Sequence, residues 1–131
     1  MKNTTKTAMN LIIDDSMLIG EKLQRFLFNT TAALPFEHAK NVNEGMVLFT
    51  ALNPEIVFLD IKLPDGNGID VLVSLKKMNP GVKVIIFSNL ADNFYQKKFR
   101  EKGCDYFLDK SKDFVKIPGV INEIIALTKT N

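Results

Sequence analysis

The sequence contains a single cysteine and a single histidine among its 131 residues. One cysteine, Cys104, excludes a disulfide within the chain and is typical of a reducing compartment, so we expect a cytoplasmic protein in which Cys104 is a small buried residue. A zinc site would need histidine or cysteine ligands in number. We expect His38, near the second predicted strand and away from the acidic residues described below, to be structural and to have no metal or phosphohistidine role.

The sequence also lacks a long apolar run and a block of like charges. The longest stretch without a charged residue, residues 26–36, is interrupted by polar residues and a proline, whereas a membrane span needs about 18 apolar residues. Residues 1–9 carry Lys2 and Lys6 without an apolar core, so we expect no secretory signal. The net charge is +2 with both signs interspersed, which argues against a nucleic acid as a direct ligand. We therefore expect neither a membrane nor a nucleic acid as a direct partner.

Length and composition indicate one domain. A chain of 131 residues with 46% hydrophobic residues can bury a core of its own. No repeat, low-complexity tract or linker divides it. We expect an N-terminal extension over residues 1–8 and a single domain over residues 9–131.

Apolar runs and helical periodicities alternate five times along the chain. The run of residues 56–59 (IVFL) is unbroken, as in a strand buried on both faces, and four similar runs are each followed by a helical pattern. This alternation predicts an α/β fold, a doubly wound five-stranded parallel sheet with helices on both faces. The predicted strands cover residues 9–13, 36–39, 56–59, 82–87 and 106–108, and the predicted helices cover about 16–30, 43–53, 68–78, 92–102 and 113–128.

The ends of several helices carry their own signals. Ser16 and Asn43 are predicted N-caps of the first two helices, because their side chains can accept a hydrogen bond from the first turn. Gly103 is predicted at the position just after the fourth helix. Pro64-Asp65-Gly66 predicts a turn between the third strand and its helix.

Polar side chains follow four of the five predicted strands. Asp14 and Asp15 end the first strand, Asp60 the third, Ser88 the fourth and Lys110 the fifth. In a doubly wound sheet the functional groups collect beyond the carboxyl ends of the strands. Three carboxylates at one place repel one another unless a cation lies between them, and an all-oxygen set suits Mg²⁺. With a lysine beside them, this arrangement favours phosphoryl transfer to Asp60.

The joint pattern resembles the receiver domain of bacterial two-component response regulators. The resemblance extends from about residue 9 to residue 128 and implies a flavodoxin-like strand order 2-1-3-4-5. Because the chain ends after the fifth helix, it is similar to the single-domain, chemotaxis-regulator-like members that act by binding a partner. The pattern rests on Asp14-Asp15, Asp60 followed by Pro64 and Gly68, Ser88, and Lys110 three residues after Phe107.

The resemblance implies a role for each residue near the acidic cluster. Asp60 corresponds to the phosphoacceptor, which takes a phosphoryl group from the phosphohistidine of a sensor histidine kinase or phosphotransfer protein. Asp14 and Asp15 correspond to the acidic pair that, together with Asp60 and the backbone carbonyl of Lys62, holds Mg²⁺. Lys110 corresponds to the lysine that contacts the phosphoryl oxygens. The protein would then be a signalling phosphoacceptor that assists its own phosphorylation and dephosphorylation, and not an enzyme in the ordinary sense.

The resemblance also implies a switch and an output surface. Ser88 and Phe107 correspond to the hydroxyl and aromatic residues that move together on phosphorylation, and we expect Phe107 to turn inward when they do. An output protein with an acidic rim is expected on the face formed by the fourth helix, the fifth strand and the fifth helix. The sequence leaves the oligomeric state open, a homodimer included. The basic residues of this face are Lys97, Lys98, Arg100, Lys102, Lys112 and Lys116.

Two positions depart from the pattern of the family. Family members usually have proline after the lysine, often with a cis peptide bond, whereas Lys110 is followed by Ser111. A cis bond before a residue other than proline costs about 2.5–4 kcal/mol, so the Lys110-Ser111 peptide is predicted to be trans. Asn89 follows Ser88 where the family generally has alanine or glycine, and its side chain can crowd the phosphorylation site.

Two other functions fit parts of the pattern. A phosphatase with an aspartate nucleophile would usually carry a second aspartate two residues on, a place taken here by Lys62. A phosphorylation-independent interaction module on the same fold would account for the departures at Asn89 and Ser111.

Overall fold

The computed structural model describes residues 9–28 and 35–129. The expected extension over residues 1–8 and the expected end of the first helix near Thr30 lie outside these residues. Strands and helices alternate as the sequence predicted. The elements are β1 (Asn10–Ile13), α1 (Met17–Phe28), β2 (Phe36–Ala39), α2 (Val42–Leu52), β3 (Ile56–Leu59), β4 (Lys62–Leu63), β5 (Gly66–Asn67), α3 (Gly68–Met78), β6 (Lys83–Ser88), α4 (Asn93–Glu101), β7 (Tyr106–Asp109) and α5 (Ile117–Lys129).

Five of the strands form one parallel sheet in the order β2-β1-β3-β6-β7. The short strands β4 and β5 form a separate antiparallel hairpin. When this hairpin is left out of the numbering, the order is the expected 2-1-3-4-5, so the doubly wound prediction is confirmed. The order changes direction between β1 and β3, which places the acidic ends of these two strands side by side.

The sheet separates two apolar clusters. Successive side chains of a strand point to opposite faces, so Leu11 and Ile13 enter one cluster while Ile12 enters the other. The first cluster lies under α2, α3 and α4 and includes Phe49, Leu72 and Phe99; the second lies under α1 and α5 and includes Leu23, Phe58 and Ile121. Burying one such side chain contributes about 1.5–3 kcal/mol, so the two layers hold the strands in place.

Two of the predicted helix ends are confirmed and one is corrected. The Ser16 hydroxyl accepts a hydrogen bond from the Ile19 amide at 3.2 Å, as an N-cap does. Gly103 adopts φ 102°, a backbone angle that favours glycine after a helix. The cap of α2 is Asn41 and not the predicted Asn43, because the Asn41 side chain accepts the Glu44 amide proton at 2.8 Å.

The last predicted helix is divided in the structure. Residues Phe114–Lys116 form a single 3₁₀ turn, and α5 begins at Ile117 rather than near residue 113. Pro118 explains the later start, since it has no amide hydrogen and is tolerated only in the first turn of an α-helix. Within the described residues no helix combines the length and the apolar character that crossing a membrane requires.

Candidate functional site

The carboxyl ends of β1, β3, β6 and β7 meet at one edge of the sheet. β1 and β3 are paired over Ile13 and Leu59, so the residues that follow them lie next to each other. β6 pairs with β3 on its other side and with β7 beyond it. This topology brings together the predicted residues Asp14, Asp15, Asp60, Ser88 and Lys110.

Asp60 lies directly after β3 and is 9% exposed. Its Oδ1 atom accepts a hydrogen bond from the Ile61 amide at 2.8 Å, and its Oδ2 atom lies 2.9 Å from Lys110 Nζ. Both oxygens therefore have a partner, which a buried carboxylate needs. Its side chain is 11% exposed, at the edge of the sheet.

Lys110 is the cation between the two buried aspartates. Its ammonium nitrogen lies 2.8 Å from Asp14 Oδ2 and 2.9 Å from Asp60 Oδ2, and its side chain is 8% exposed. Burial alone favours the neutral amine, but the two carboxylates outweigh it and raise the pKa of Lys110 above its ordinary value. Lys110 is thus a fixed positive charge beside Asp60.

Asp14 carries a charge that its surroundings disfavour. It is 2% exposed, and burial raises the pKa of its carboxyl above the ordinary value even though Lys110 and the Ser16 amide stabilise the ionised form. The charge of Asp60 adds to this effect. A further positive charge at this place would relieve the strain on both carboxylates.

Asp14, Asp15 and Asp60 can jointly hold a metal ion. One carboxylate oxygen of each residue lies within 4.8 Å of the others. The donors are all oxygen, which suits Mg²⁺ and excludes the histidine and cysteine ligands typical of zinc. When all three carboxylates are ionised, Lys110 balances only one of them, so two negative charges remain for a divalent cation. The donor set therefore fits Mg²⁺, although Asp15 is the one exposed member.

The loop after Asp60 is held close to the site. Lys62 begins the β4–β5 hairpin, paired with Asn67, and its side chain is exposed. The amide of Gly68 donates to the Ile61 carbonyl at 2.6 Å. A Cβ atom at Gly68 would lie 2.6 Å from the Asp60 carbonyl oxygen, so any other residue there would displace the loop. Close approach, and not backbone flexibility, requires glycine at this position.

Ser88 lies at the end of β6 and is 2% exposed. Its hydroxyl oxygen accepts a hydrogen bond from the Leu90 amide at 3.1 Å, and its carbonyl accepts the Lys110 amide proton at 3.1 Å. Ser88 thus connects the start of the β6–α4 loop to the backbone of Lys110. The side chain of Asn89, expected to crowd the site, is exposed.

Phe107 lies inside the protein, 8% exposed, with its ring edge-on to Phe99 at a centroid distance of 6.0 Å. Its neighbour Tyr106 packs against the opposite cluster and donates a hydrogen bond to Glu123. Phe107, and not Tyr106, is therefore the aromatic residue beneath α4. In this conformation the ring is already buried, so the expected inward rotation of Phe107 could not start from here.

His38 is nearer to the site than the sequence indicated. Its Nε2 atom lies 2.6 Å from the backbone carbonyl oxygen of Asp14, so the expectation that it lies away from the acidic residues is wrong. The ring contacts the backbone and not the carboxylate, which agrees with a structural role. The contact follows from the pairing of Ile12 with His38 between β1 and β2.

The turn after Lys110 contains hydrogen bonds that sequence reasoning missed. The Lys110-Ser111 peptide is trans, as predicted. The Asp109 carboxylate accepts two hydrogen bonds from Ser111, and the Asp113 carboxylate accepts one from the Asp109 amide. The local run of aspartate and serine residues could have indicated this, since both residue types form such short turns.

Comparisons with known proteins agree with this architecture. A sequence model of the response regulator receiver domain matches residues 11–122. The chain is 34% identical over 99 residues to the sensory transduction protein LytT of Bacillus cereus, an alignment that covers 75% of this chain and 39% of that protein. It is 32% identical over 114 residues to the sensory transduction protein LytR of Staphylococcus haemolyticus, which covers 87% and 44%. The chain therefore spans less than half the length of these curated relatives.

A solved structure shows the same fold over nearly the whole chain. The CheY-like response regulator receiver domain protein from Methanospirillum hungatei superposes with a TM-score of 0.85 and covers 96% of this chain and 100% of that one. At 24% identity this similarity concerns the fold alone. Membership of the family rests instead on the match to the sequence model, because that match extends over most of the chain. The chain belongs to the family of response regulator receiver domains of two-component systems.

Proposed function

We propose that Asp60 is the phosphoacceptor of this receiver domain. The observation that carries the proposal is its carboxylate, which lies at the end of a central strand with one oxygen 2.9 Å from the Lys110 ammonium nitrogen. One oxygen of Asp60 attacks the phosphorus of a phosphohistidine or an acyl phosphate. A new oxygen–phosphorus bond forms as the bond to the imidazole nitrogen or to the acyl oxygen breaks, and the leaving group takes the electron pair. Water later hydrolyses the aspartyl phosphate and releases inorganic phosphate.

Mg²⁺ is the proposed cofactor, held by Asp14, Asp15, Asp60 and the backbone carbonyl of Lys62. When bound, the ion supplies positive charge that stabilises the phosphoryl oxygens during transfer. The fit rests on the all-oxygen donors and on the two negative charges that Lys110 leaves unbalanced.

Lys110 and Ser88 are proposed to contact the transferred group. The Lys110 ammonium already lies beside Asp60 and can stabilise the negative charge that develops on the phosphoryl oxygens during transfer. A cation stabilises such charge most strongly in a site screened from water. Ser88 can donate its hydroxyl proton to another phosphoryl oxygen. If only the hydroxyl hydrogen turns, the Ser88 oxygen keeps accepting the Leu90 amide proton; if the side chain rotates and the oxygen moves, that hydrogen bond is lost. In this way the chain assists its own phosphorylation and dephosphorylation without acting on a separate substrate.

The partners proposed for the domain follow from its family and its charge. A sensor histidine kinase or phosphotransfer protein supplies the phosphoryl group. The proposed receiver domain covers residues 9–131, after an N-terminal extension over residues 1–8. The output partner docks on the face of α4, β7 and α5 in the cytoplasm. The exposed fraction of Phe94 is 66% there. Six exposed cations surround this face and favour a partner with an acidic rim: Lys97, Lys98, Arg100, Lys102, Lys112 and Lys116.

The phosphoacceptor is tested by incubation with acetyl phosphate and Mg²⁺, followed by intact mass and peptide mapping. We expect one phosphoryl group per chain, on Asp60, and none in Asp60→Asn, which keeps the size of the side chain but removes the nucleophile. Asp70→Asn, an exposed aspartate in the neighbouring first turn of α3, is the matched control and should be labelled like the wild type.

The same experiment distinguishes the other functions. Labelling of Asp60→Asn equal to that of the wild type would refute the assignment. Turnover of external phosphomonoesters by the wild type would instead indicate the aspartate-nucleophile phosphatase. An unlabelled and inactive wild type would indicate the phosphorylation-independent interaction module.

A further inference from the structure

We propose that Asp109 is a positioning residue for Lys110, which is followed here by Ser111 and not by the proline that is usual in the family. This inference rests on the proposed function, in which Lys110 neutralises the group transferred to Asp60. It assigns a role in that reaction to a carboxylate that touches neither the phosphoacceptor nor the metal ligands.

The Asp109 carboxylate fixes the peptide that follows Lys110. Its Oδ1 atom accepts hydrogen bonds from the Ser111 amide at 2.8 Å and from the Ser111 hydroxyl at 2.6 Å. The Ser111 amide belongs to the same planar unit as the Lys110 carbonyl, so this bond sets the orientation of the backbone leaving Lys110. The two bonds lower the pKa of Asp109, which keeps the acceptor ionised at neutral pH.

The backbone of Asp109 is fixed from the other side. Its amide donates to Asp113 Oδ2 at 2.8 Å, and its carbonyl accepts the Asp113 amide proton at 2.9 Å. Asp113 is itself buried at the start of the 3₁₀ turn. Asp109 also ends β7, in register with Ser88. Residue 109 is therefore held by the sheet and by the turn beyond it, and it transmits this constraint to the residue that follows.

A lysine needs such a constraint in order to bridge two carboxylates. Its four-carbon stem has many rotamers, and ordering it in one of them has an entropic cost. Here the Lys110 amide is bound to the Ser88 carbonyl, the following peptide to Asp109, and the ammonium to Asp14 and Asp60. Loss of the Asp109 carboxylate removes the hydrogen bond to the Ser111 amide, while the other contacts of Lys110 remain. The ammonium should then sample positions away from the site.

Lysine acetylation under limiting reagent, read by peptide mass spectrometry, tests the position of Lys110 directly. Asp109→Ala should raise the acetylation rate of Lys110, whereas Asp109→Asn retains an acceptor oxygen and should restore most of the protection. Lys76 is the internal reference, because it is half-buried and paired with Asp105 at 2.7 Å at the start of β7. A change that loosened the whole fold would raise the acetylation of both lysines.

Labelling of Asp60 by acetyl phosphate tests the consequence for the reaction. We expect Asp109→Ala to be labelled about 10- to 100-fold more slowly, the cost of a misplaced charged group, and Asp109→Asn to recover much of the rate. The affinity for Mg²⁺ should not fall, because Asp109 supplies no ligand in the proposed coordination sphere and a displaced Lys110 ammonium no longer competes with the ion for Asp14 and Asp60. Ser111→Ala removes only the hydroxyl bond and should lie between the wild type and Asp109→Ala in both assays. This variant decides the matter if Asp109→Ala does not fold.

Three outcomes separate the two proposals. Unchanged acetylation of Lys110 in Asp109→Ala and Ser111→Ala overturns the positioning role, whatever the labelling shows. Raised acetylation of Lys110 with an unchanged rate of Asp60 labelling also overturns it, because position would not matter to the reaction. An unlabelled wild type in which Lys110 still depends on Asp109 overturns the proposed function instead.

Discussion

The surroundings of Asp14 disfavour the ionised form of its carboxyl group. Its pKa is raised from the ordinary value of 3.8, chiefly by burial. Between that value and the higher pKa of the folded protein, the folded state binds more protons than the unfolded state. The free energy of unfolding therefore falls as the pH rises through this interval and stays lower above it. Without a divalent cation, the ionised Asp14 carboxylate is a destabilising group at neutral pH.

Asp14→Asn should accordingly raise the melting temperature by a few degrees at pH 7 in the presence of a chelator. This difference in melting temperature should become smaller as the pH falls into the range where Asp14 of the wild type takes up its proton. Excess Mg²⁺ should stabilise the wild type through ligand binding and should not stabilise the variant equally. Thermal unfolding followed by circular dichroism measures both effects. Asp15→Asn, in the exposed member of the cluster, is the matched control, and equal melting temperatures of wild type and Asp14→Asn under chelation would contradict the prediction.

Cys104 offers a second test at a single residue. Cys104 is partly buried, and not fully buried as expected, against the cluster that contains Phe99 and Phe107. This partial burial raises the pKa of its thiol to about 11. Only the thiolate reacts with iodoacetamide, so a rise of this size lowers the rate at pH 8 by about 100-fold relative to an unperturbed cysteine. Alkylation of the native and the urea-unfolded protein, read by intact mass, measures the ratio directly because the chain has one cysteine. Equal rates would show that the thiol is not protected.

The sequence alone was sufficient to predict those residues of the candidate site that directly follow a strand. Asp14, Asp60 and Lys110 could be predicted because parallel strands deliver their ends to one edge of a sheet. His38 could not, because its contact with Asp14 depends on the lateral pairing of β1 with β2, which no local pattern specifies. The burial of Phe107 in this conformation likewise depends on how α4 packs over β7.

The β4–β5 hairpin is joined to α2 through Asp65. Its two carboxylate oxygens accept the amide protons of Val42 at 2.7 Å and Asn43 at 3.0 Å, which are the first two residues of the helix. These hydrogen bonds lower the pKa of Asp65. A carboxylate at the N-terminus of a helix satisfies amides that have no partner in the helix and interacts favourably with the helix dipole. Asp65 therefore anchors the loop that contains Lys62 to a neighbouring element.

Asp65→Ala should increase hydrogen exchange at the Val42 and Asn43 amides and should loosen the hairpin. If the Lys62 carbonyl is a metal ligand, Mg²⁺ affinity should fall as well, by roughly 10-fold, the effect typical of residues that orient a ligand. Exchange followed by NMR and a Mg²⁺ titration measure the two results. Asp70→Asn in the adjoining helix turn is the control, and unaltered exchange in Asp65→Ala would show that the contact does not hold the loop.

At the level of elements, the sequence predicted the sheet and all five helices but not every boundary. The α2 cap was placed at Asn43 although Asn41 followed by Glu44 carries the spacing of a capping box. The short hairpin after β3 was predicted only as a turn, because two-residue strands are too short for an alternating pattern. The 3₁₀ turn before α5 has a helical pattern like that of the helix itself, and only Pro118, in the first turn of α5, indicates in the sequence where the α-helix begins.

The hydrogen bond of Ser88 offers a route by which the proposed phosphorylation of Asp60 could alter the rest of the molecule. The Ser88 hydroxyl oxygen accepts the Leu90 amide proton and so holds the first residues of the loop that leads into α4. If the Ser88 side chain rotates towards a phosphoryl oxygen, so that its own oxygen moves away from the Leu90 amide, this loop loses a contact and can rearrange, and the face of α4, β7 and α5 can change with it. A partner that prefers the rearranged face should in return raise the affinity for a phosphoryl mimic, since coupling between two sites is reciprocal.

A beryllofluoride-type mimic with Mg²⁺ should therefore increase hydrogen exchange over the β6–α4 loop and the first turn of α4. In Ser88→Ala this exchange should be raised beforehand and should respond little to the mimic. Hydrogen exchange with peptide mass spectrometry compares the two proteins, and Ser74→Ala on α3 is the control substitution. An equal response in wild type and Ser88→Ala would exclude Ser88 as the link, whatever its role in the reaction.

The ion pairs of Lys110 also constrain how the site comes into being during folding. Lys110 is 50 residues from Asp60 along the chain and contacts Asp14, at the opposite end of the fold's sequence. The entropic cost of closing loops of this length is incurred before the contacts between distant residues form, so we expect these pairs to form after the local helical contacts. On a ribosome, a nascent chain whose last strand is still in the exit tunnel has the acidic residues but not their lysine. If Asp60 is the phosphoacceptor and Lys110 assists the transfer, as proposed, the complete site exists only once β7 has joined the sheet, so an incompletely synthesised chain should accept phosphoryl groups more slowly than the whole domain.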